Sequence, residues 1–353
     1  MKSVNFAIIA DIMNIVILKG VGIVKKDMFI FNNGRLCRKD NTLMFEGEEG
    51  KKYIPVNNVE SIYIFGEVDV NKNFLEFVCS NKITIHFFNY YEYYVGTFYP
   101  REYLNSGYVI LKQSEAYLNY EKRVIIAKTF IDGAIKNILQ VLKYYERRNS
   151  NLEGEIEEIT NLLDTLQLQS TIETIMAIEG NVRQVYYKSF NKILDDEDFT
   201  FTSRTKRPPK DRINSLISFG NSMLYTLVLS QLYQTQLDPR IGYLHSTNDR
   251  RFSLNLDVAE IFKPIIVDRT IFSVINKKII TKKDFNKDLG SIILSDEGRM
   301  KFIKEFNEKL ETTIKYPNFP NRVSYKRLIR LEAYKLQKFI TEDEQYLPFI
   351  AKW

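Results

Sequence analysis

Histidine is almost absent. The 353 residues contain two, His86 and His245, so imidazole chemistry has only two possible seats. Cysteine is equally scarce: Cys37 and Cys79 stand far apart, with no partners at metal-ligand spacing. That excludes a disulfide framework and a zinc cluster and suits a reducing cytoplasm. A clean long hydrophobic run is also missing. The apolar N-terminal stretch MKSVNFAIIADIMNIVILKG is interrupted by Asp11 and Asn14, and no small-residue cleavage site follows. Neither a secretion signal nor a membrane anchor is therefore expected, and residues 1–27 are read as an extension of uncertain role ahead of Met28. No period of roughly 20 to 50 residues recurs, which excludes a solenoid.

What is present describes a globular chain. Hydrophobic residues make up 44%, enough to bury a sizeable core in roughly two or three units. The formal net charge of +6 permits an anionic partner without requiring one. From Met28 the texture is β-like: MFIFNNGRLCRK, NTLMFEG, KKYIPV and ESIYIFGEV, with turn signals at Asn33-Gly34 and Asp40-Asn41. A short helix, NKNFLEFVCSNK, precedes ITIHFFNYYEYYVGTFYP, whose tyrosine-rich hairpin closes a β domain over residues 28–100 and offers an apolar face for a dimer contact. His86, flanked by Ile85 and Phe87, reads as structural. After a linker at 101–113, spacings of three and four dominate from residue 114 to 353. The fold class is α+β, a small β domain followed by a larger all-helical domain.

Three segments of the helical part can carry chemistry. In STIETIMAIEGNVRQVYY, Ser170 and Glu173 form a capping-box pattern. The helix they start places Glu179 on a face with Ile175, Met176, Val182 and Tyr186, where a bare carboxylate needs a partner. Arg183, one turn later, is one candidate; a cation held with groups from elsewhere is another. In LDPRIGYLHSTNDRRFSLNLDVAEIFKP, His245 lies in a loop and Ser253 can cap a helix with Leu254, Val258, Ile261 and Ile265 as its core stripe. Asp257 and Glu260 lie three apart on an adjoining face, and imidazole with carboxylates suits Mg²⁺ or Mn²⁺ better than a thiolate-preferring metal. Between these segments a strip held outside any helix by Pro208 and Pro209 contains Arg204, Lys206, Arg207, Lys210 and Arg212 against Asp211 alone. It is a candidate phosphate contact. The C-terminal helix, with Lys326, Arg327, Arg330, Lys335 and Lys338, offers a second basic surface.

The blocks IEGNVRQVYY, RPPKDRINSLISFGNSMLY, LDPRIGYLHS and RFSLNLDVAEIFKPIIVDR, in this order, resemble the CRISPR-associated adaptation endonuclease family, the integrase subunit of spacer acquisition. MFIFNNGRLCRKDNTL, IPVNNVESIYIFGEVDVN and FFNYYEYYVGTFYPRE agree with it. The resemblance implies a divalent ion, Mg²⁺ or Mn²⁺, bound by Glu179, His245 and Glu260, with Asp257 and Arg183 supporting them. It implies a β domain that mediates homodimerisation, a helical catalytic domain, and two dimers bridged by a smaller CRISPR-associated partner. The expected reaction is insertion of short double-stranded DNA into the CRISPR repeat by 3′-hydroxyl attack. Arg204, Lys206, Arg207 and Lys210 are the expected phosphate contacts. Two alternatives remain at this point: a stand-alone nuclease on branched repair intermediates, and a non-catalytic DNA-binding scaffold in which Glu179 merely pairs with Arg183.

Overall fold

Alternation of period two between residues 26 and 88 sorts the apolar side chains onto opposite faces of strands. The computed structural model describes residues 15–16, 25–91, 93–101, 104, 106–148, 150–194, 196–206, 208–245, 252–288, 290–317 and 319–352. The chain divides into two units, Met1–Tyr103 and Leu104–Trp353. In the first, strands β1 (Ile15–Val16), β2 (Lys26–Ile30), β3 (Gly34–Lys39), β4 (Thr42–Gly47), β5 (Gly50–Pro55), β6 (Val59–Ile64) and β7 (Val68–Val70) precede helix α1 (Lys72–Ser80) and strands β8 (Thr84–Phe88) and β9 (Tyr94–Phe98). One sheet has the order β1-β2-β6-β8-β9 and the other β5-β4-β3-β7. In the first sheet β2, β6 and β8 run parallel, with antiparallel strands at both edges.

The register explains the core. Met28, Ile30, Ile62, Ile64 and Ile85 point into one apolar cluster with Leu36, Leu43, Phe45 and Phe74. Their neighbours in sequence point the other way: Phe29, Tyr63 and His86 stand in line across the sheet, with ring centroids 4.7 and 4.8 Å apart. His86 is fully buried there, bonded through Nδ1 to Thr97 Oγ1 at 2.8 Å. Its neighbours are aromatic and hydroxyl groups, as a structural histidine requires. Tyr90 and Tyr91 are exposed between β8 and β9. Asp40, at φ 53°, turns the β3–β4 hairpin. Asn33-Gly34, by contrast, is not a hairpin turn. It takes the chain from one sheet to the other, and Gly34 is required because a Cβ there would stand 2.4 Å from the Glu46 carbonyl oxygen.

The second unit consists mainly of α2 (Gly107–Leu118), α3 (Tyr120–Glu146), α4 (Glu153–Gln167), α5 (Ile172–Lys188), α6 (Phe190–Leu194), α7 (Arg212–Leu232), α8 (Leu254–Lys263), α9 (Arg269–Asn276), α10 (Asp296–Glu311) and α11 (Tyr325–Glu342). Several expectations are corrected here. Helix α2 fills most of the expected 101–113 linker. Asn119 separates α2 from α3 by accepting the Lys122 amide on its own side chain at 3.0 Å, which starts a new helix. The unit is not purely helical, because two short ribbons, β10 (Phe285–Asp288) with β11 (Ser291–Leu294) and β12 (Thr313–Ile314) with β13 (Val323–Ser324), join its later helices. Pro264 lacks an amide proton, and the helix passes there through a π turn, Pro264–Asp268, before α9 resumes. Among the described residues no helix is long and apolar enough to cross a membrane.

Helix α8 is buried almost all round, against α3 on one side and α7 on another. Asn137 of α3 fixes it. The Asn137 amide donates to the Ile261 and Phe349 carbonyls, both at 2.9 Å, and its oxygen accepts the Ala351 amide at 2.8 Å. The C-terminal segment and α8 are thereby tied to one side chain.

Candidate metal and nucleic-acid site

Two helices present the candidate carboxylates. Helix α5 is capped by Thr171, whose hydroxyl accepts the Thr174 amide at 3.2 Å, one residue later than the Ser170 cap expected. Ile175, Val182 and Tyr186 are buried as expected, but Met176 is 44% exposed, because it lies a full 100° round the helix from Ile175. Glu179 sits at the edge of this buried face, and its Oε1 accepts Arg183 Nε at 2.9 Å. The i,i+4 partner that the sequence offered is real. It is also shared. Arg183 Nη2 reaches Glu260 Oε2, 77 residues away on α8. The other Glu260 oxygen is bonded to Lys263.

Burial and charge act in opposite directions on this cluster. Burial pushes Glu260 up, yet Lys263, Arg183 and His245 together hold it down at about 2. Lys263 is pulled down by burial and raised overall by Glu260. Its ammonium lies 4.9 Å from the Tyr225 ring centroid, where the aromatic face favours a cation. Asp268, at the end of the π turn, is raised to about 6 because burial outweighs the pull of Arg183. Lys263 and Asp268 belong to this cluster without having been among the expected site residues. The i,i+3 spacing of Glu260 and Lys263 was the available signal for the first.

His245 is positioned by a different device. Asp257 is fully buried and accepts four bonds: the Tyr243 amide at 2.6 Å and the Leu244 amide at 3.0 Å on one oxygen, the His245 amide at 3.0 Å and His245 Nδ1 at 2.7 Å on the other. The spacing put Asp257 and Glu260 on a face adjoining the core stripe, and both are interior. Burial lowers the His245 pKa, and the hydrogen bond and charge of Asp257 more than offset it, so the imidazole titrates above its ordinary value. With Nδ1 facing a carboxylate, Nε2 is the ring nitrogen left for other chemistry. Ser253 occupies the N-cap position of α8 without capping it. Its hydroxyl accepts the Gly242 amide at 2.9 Å and donates to the Arg240 carbonyl at 2.8 Å, holding the GYLH loop against the helix start. Gly242 is needed there, since a Cβ would come within 2.7 Å of Ser253 Oγ.

The basic strip divides. Arg204, expected as a phosphate contact, turns inward, and its guanidinium bonds Asn214 Oδ1 at 2.8 Å and Ser218 Oγ at 3.0 Å. Asn214 is buried and fixed by Asp211, so Arg204 braces the strip against α7 instead of facing solvent. Lys206 and Lys210 are exposed. Partial burial lowers Lys206, with Arg204 and Lys263 adding to the effect and the charges of Glu179 and Glu260 opposing it. Lys206 therefore feels the same cluster. Arg207 lies outside the described residues. On α11, Arg330 bonds Gln231, Lys335 bonds Glu332 and the Leu347 carbonyl, and Lys338 bonds Glu344. That surface is less available to an anion than its charge count suggested.

In donor chemistry, two carboxylates and an oriented imidazole fit a hard divalent cation. Glu179 and Glu260 already converge on one positive group, the Arg183 guanidinium. The cage is not ready-made: among the described residues no three histidine, cysteine, aspartate or glutamate side chains are close enough to hold a metal. Arg183 and Lys263 hold the oxygens of Glu260 that such an ion would need.

Comparisons agree with this architecture. A family profile described as CRISPR associated protein Cas1 matches residues 28–308. The chain is 56% identical over 330 residues to CRISPR-associated endonuclease Cas1 2 of Thermodesulfovibrio yellowstonii, covering 94% of this chain and 100% of that one. The structure of a Cas1 protein from Thermotoga maritima superposes with a TM-score of 0.82 at 47% identity, covering 91% of this chain and 98% of that one. A casposase bound to integration product shares the fold, with a TM-score of 0.82 at 22% identity over 91% of this chain and 93% of that one. A profile match over most of the length, with near-complete coverage of a majority-identical relative, places the chain in the Cas1 family of CRISPR-associated proteins.

Proposed function

We propose that this chain is a divalent-metal-dependent DNA endonuclease and strand transferase of CRISPR adaptation, working as a homodimer with a smaller CRISPR-associated partner on double-stranded DNA. The observation that supports this reading best is the convergence of Glu179 and Glu260, from helices far apart in sequence, on one guanidinium. A non-catalytic scaffold accounts for the Glu179–Arg183 pair. It gives no reason for Glu260 to be buried in the same cluster, nor for Asp257 to orient an imidazole beside it.

Glu179, Glu260 and Nε2 of His245 are the residues that would hold Mg²⁺ or Mn²⁺. When bound, such a cation neutralises a phosphodiester oxygen and favours ionisation of the attacking hydroxyl. Asp257 keeps the His245 ring in one orientation by accepting from Nδ1 and from three backbone amides. Lys206 and Lys210 offer exposed ammonium groups to DNA phosphates, while Arg204 shapes the strip that carries them. The oxygen of a DNA 3′-hydroxyl attacks phosphorus, the bond to the leaving 3′-oxygen breaks, and the proton lost by the nucleophile is returned to that oxygen. One phosphodiester replaces another. With water as nucleophile the same arrangement cleaves a strand.

The test is His245→Ala, assayed for Mn²⁺-dependent cleavage and strand transfer alongside its far-ultraviolet circular dichroism. A folded protein with activity reduced by about 10³-fold or more is the expected outcome. A folded variant as active as the wild type would refute the ligand role.

A further inference from the structure

Asp268 is only 1% exposed, and its Oδ2 has no hydrogen-bond partner. The Tyr186 hydroxyl lies beside it, fully buried, yet closes no bond of normal length and angle. A buried carboxylate oxygen left unmatched is expensive, and such groups call for an explanation. This one sits at the end of a π turn, an irregularity that recurs at functional sites. The strongest charge acting on it is Arg183, followed by Lys263.

Arg183 has the opposite problem. Its guanidinium holds Glu179 and Glu260, the two carboxylates that the proposed function gives to a divalent cation. Guanidinium and metal ion compete for the same oxygens. Once the ion takes them, a nearly buried arginine would be left without a counter-charge, a strongly unfavourable state unless another anion receives it. Lys263 cannot. Asp268 is buried, anionic and already within the field of Arg183.

Accepting the metal reading of the site, we infer that Asp268 is a positioning residue that receives the Arg183 guanidinium when a divalent cation binds Glu179 and Glu260. Arg183 is then a resident cation that neutralises the two carboxylates in the absence of metal and competes with metal for them. The two residues set the affinity of the site from opposite directions. Asp268 favours binding and Arg183 opposes it.

The experiment measures Mn²⁺ binding to the full chain by calorimetry and by the loss of the free-ion paramagnetic resonance signal. Wild type is compared with Asp268→Asn, Arg183→Met and the double variant, and urea unfolding without metal is recorded for each. Asp268→Asn should weaken Mn²⁺ binding by about tenfold or more with little loss of metal-free stability. Arg183→Met should tighten binding while lowering metal-free stability. In the Arg183→Met background, Asp268→Asn should have no effect on binding, because no guanidinium needs a receiver. A merely structural arginine predicts the reverse sign for Arg183→Met. Weaker binding in that variant, or unchanged binding in Asp268→Asn, overturns the inference, and the Arg183→Met result decides it if Asp268→Asn does not fold. Glu179→Gln separates the two readings. If it leaves wild-type Mn²⁺ binding intact, the metal assignment itself fails, whereas the Asp268 variants test only the receiver.

Discussion

Burial is costly for a lysine even where an aromatic ring faces its ammonium, and Lys309 illustrates the cost at the level of one residue. Its ammonium lies 4.8 Å from the Tyr325 ring centroid, and burial, with Arg269 nearby, lowers its pKa from 10.5 to about 8. The folded chain therefore releases this proton more readily than the unfolded one. The penalty of carrying the charge is fully present below pH 8 and disappears as pH rises through 8 toward 10.5. Lys309→Met should raise the unfolding free energy at pH 7 by about 1 kcal/mol, after allowance for partial solvent screening, and should flatten the gain otherwise seen between pH 8 and 10. Urea denaturation at pH 7 and pH 10 measures both effects. An unchanged difference between the two pH values would show that Lys309 is fully solvated. Single residues were also where the sequence was most legible. Glu179 stood out because a carboxylate among apolar neighbours needs a partner, and His245, Asp257 and Glu260 because an imidazole with nearby carboxylates suits a hard divalent cation. The partner of Glu179 could be read one turn away at Arg183, but partners on other elements were not written locally, and Arg204 shows why: its burial depends on Asn214 and Ser218 of a helix that had yet to be packed.

Between elements, α5 and α8 are joined by one clasp, Glu179–Arg183–Glu260–Lys263. Glu260 is 3% exposed at its side chain, Arg183 11% and Lys263 8%. Truncating the carboxylate leaves two nearly buried cations facing each other. Glu260→Ala should cost about 3–5 kcal/mol in unfolding free energy without metal, the range for breaking a buried ion pair from one side. A loss below about 1 kcal/mol in urea would mean that both cations reach water when released. The periodicity of three and four located the helices but missed this clasp, since a contact across 77 residues leaves no trace in local spacing. Asn119 and Pro264 mark the same limit from the other side. Each breaks an apolar pattern that otherwise reads as one continuous helix, the first with a side-chain cap and the second by a missing amide proton. The short ribbons β10–β11 and β12–β13 were missed because strands of two to four residues are too brief to show alternation.

For the molecule as a whole, the division into a β-rich unit and a helical unit could be read in the change of texture near residue 105, and the boundary falls after Tyr103. What could not be read is how far the C-terminus supports the site. Asn137 ties residues 349–351 to α8, and Gly133, one turn earlier on α3, lets Pro348 approach so closely that a Cβ would stand 2.6 Å from it. Asn137→Ala removes three buried hydrogen bonds at once and should lower unfolding free energy by about 2–4 kcal/mol. It should also speed hydrogen exchange along α8, the helix bearing Asp257 and Glu260. Exchange confined to the last few residues would show instead that packing against α3 and α7 holds α8 without the Asn137 bonds. The β-rich unit has its own timetable. Strand β2 finds its parallel partner only in β6, and β6 in β8, so a nascent chain leaving the ribosome presents Met28 to Ile30 as an unmatched apolar edge until residue 64 has emerged. Non-local closure of this kind is slow, so the order in which this unit folds follows the order in which its later strands are made.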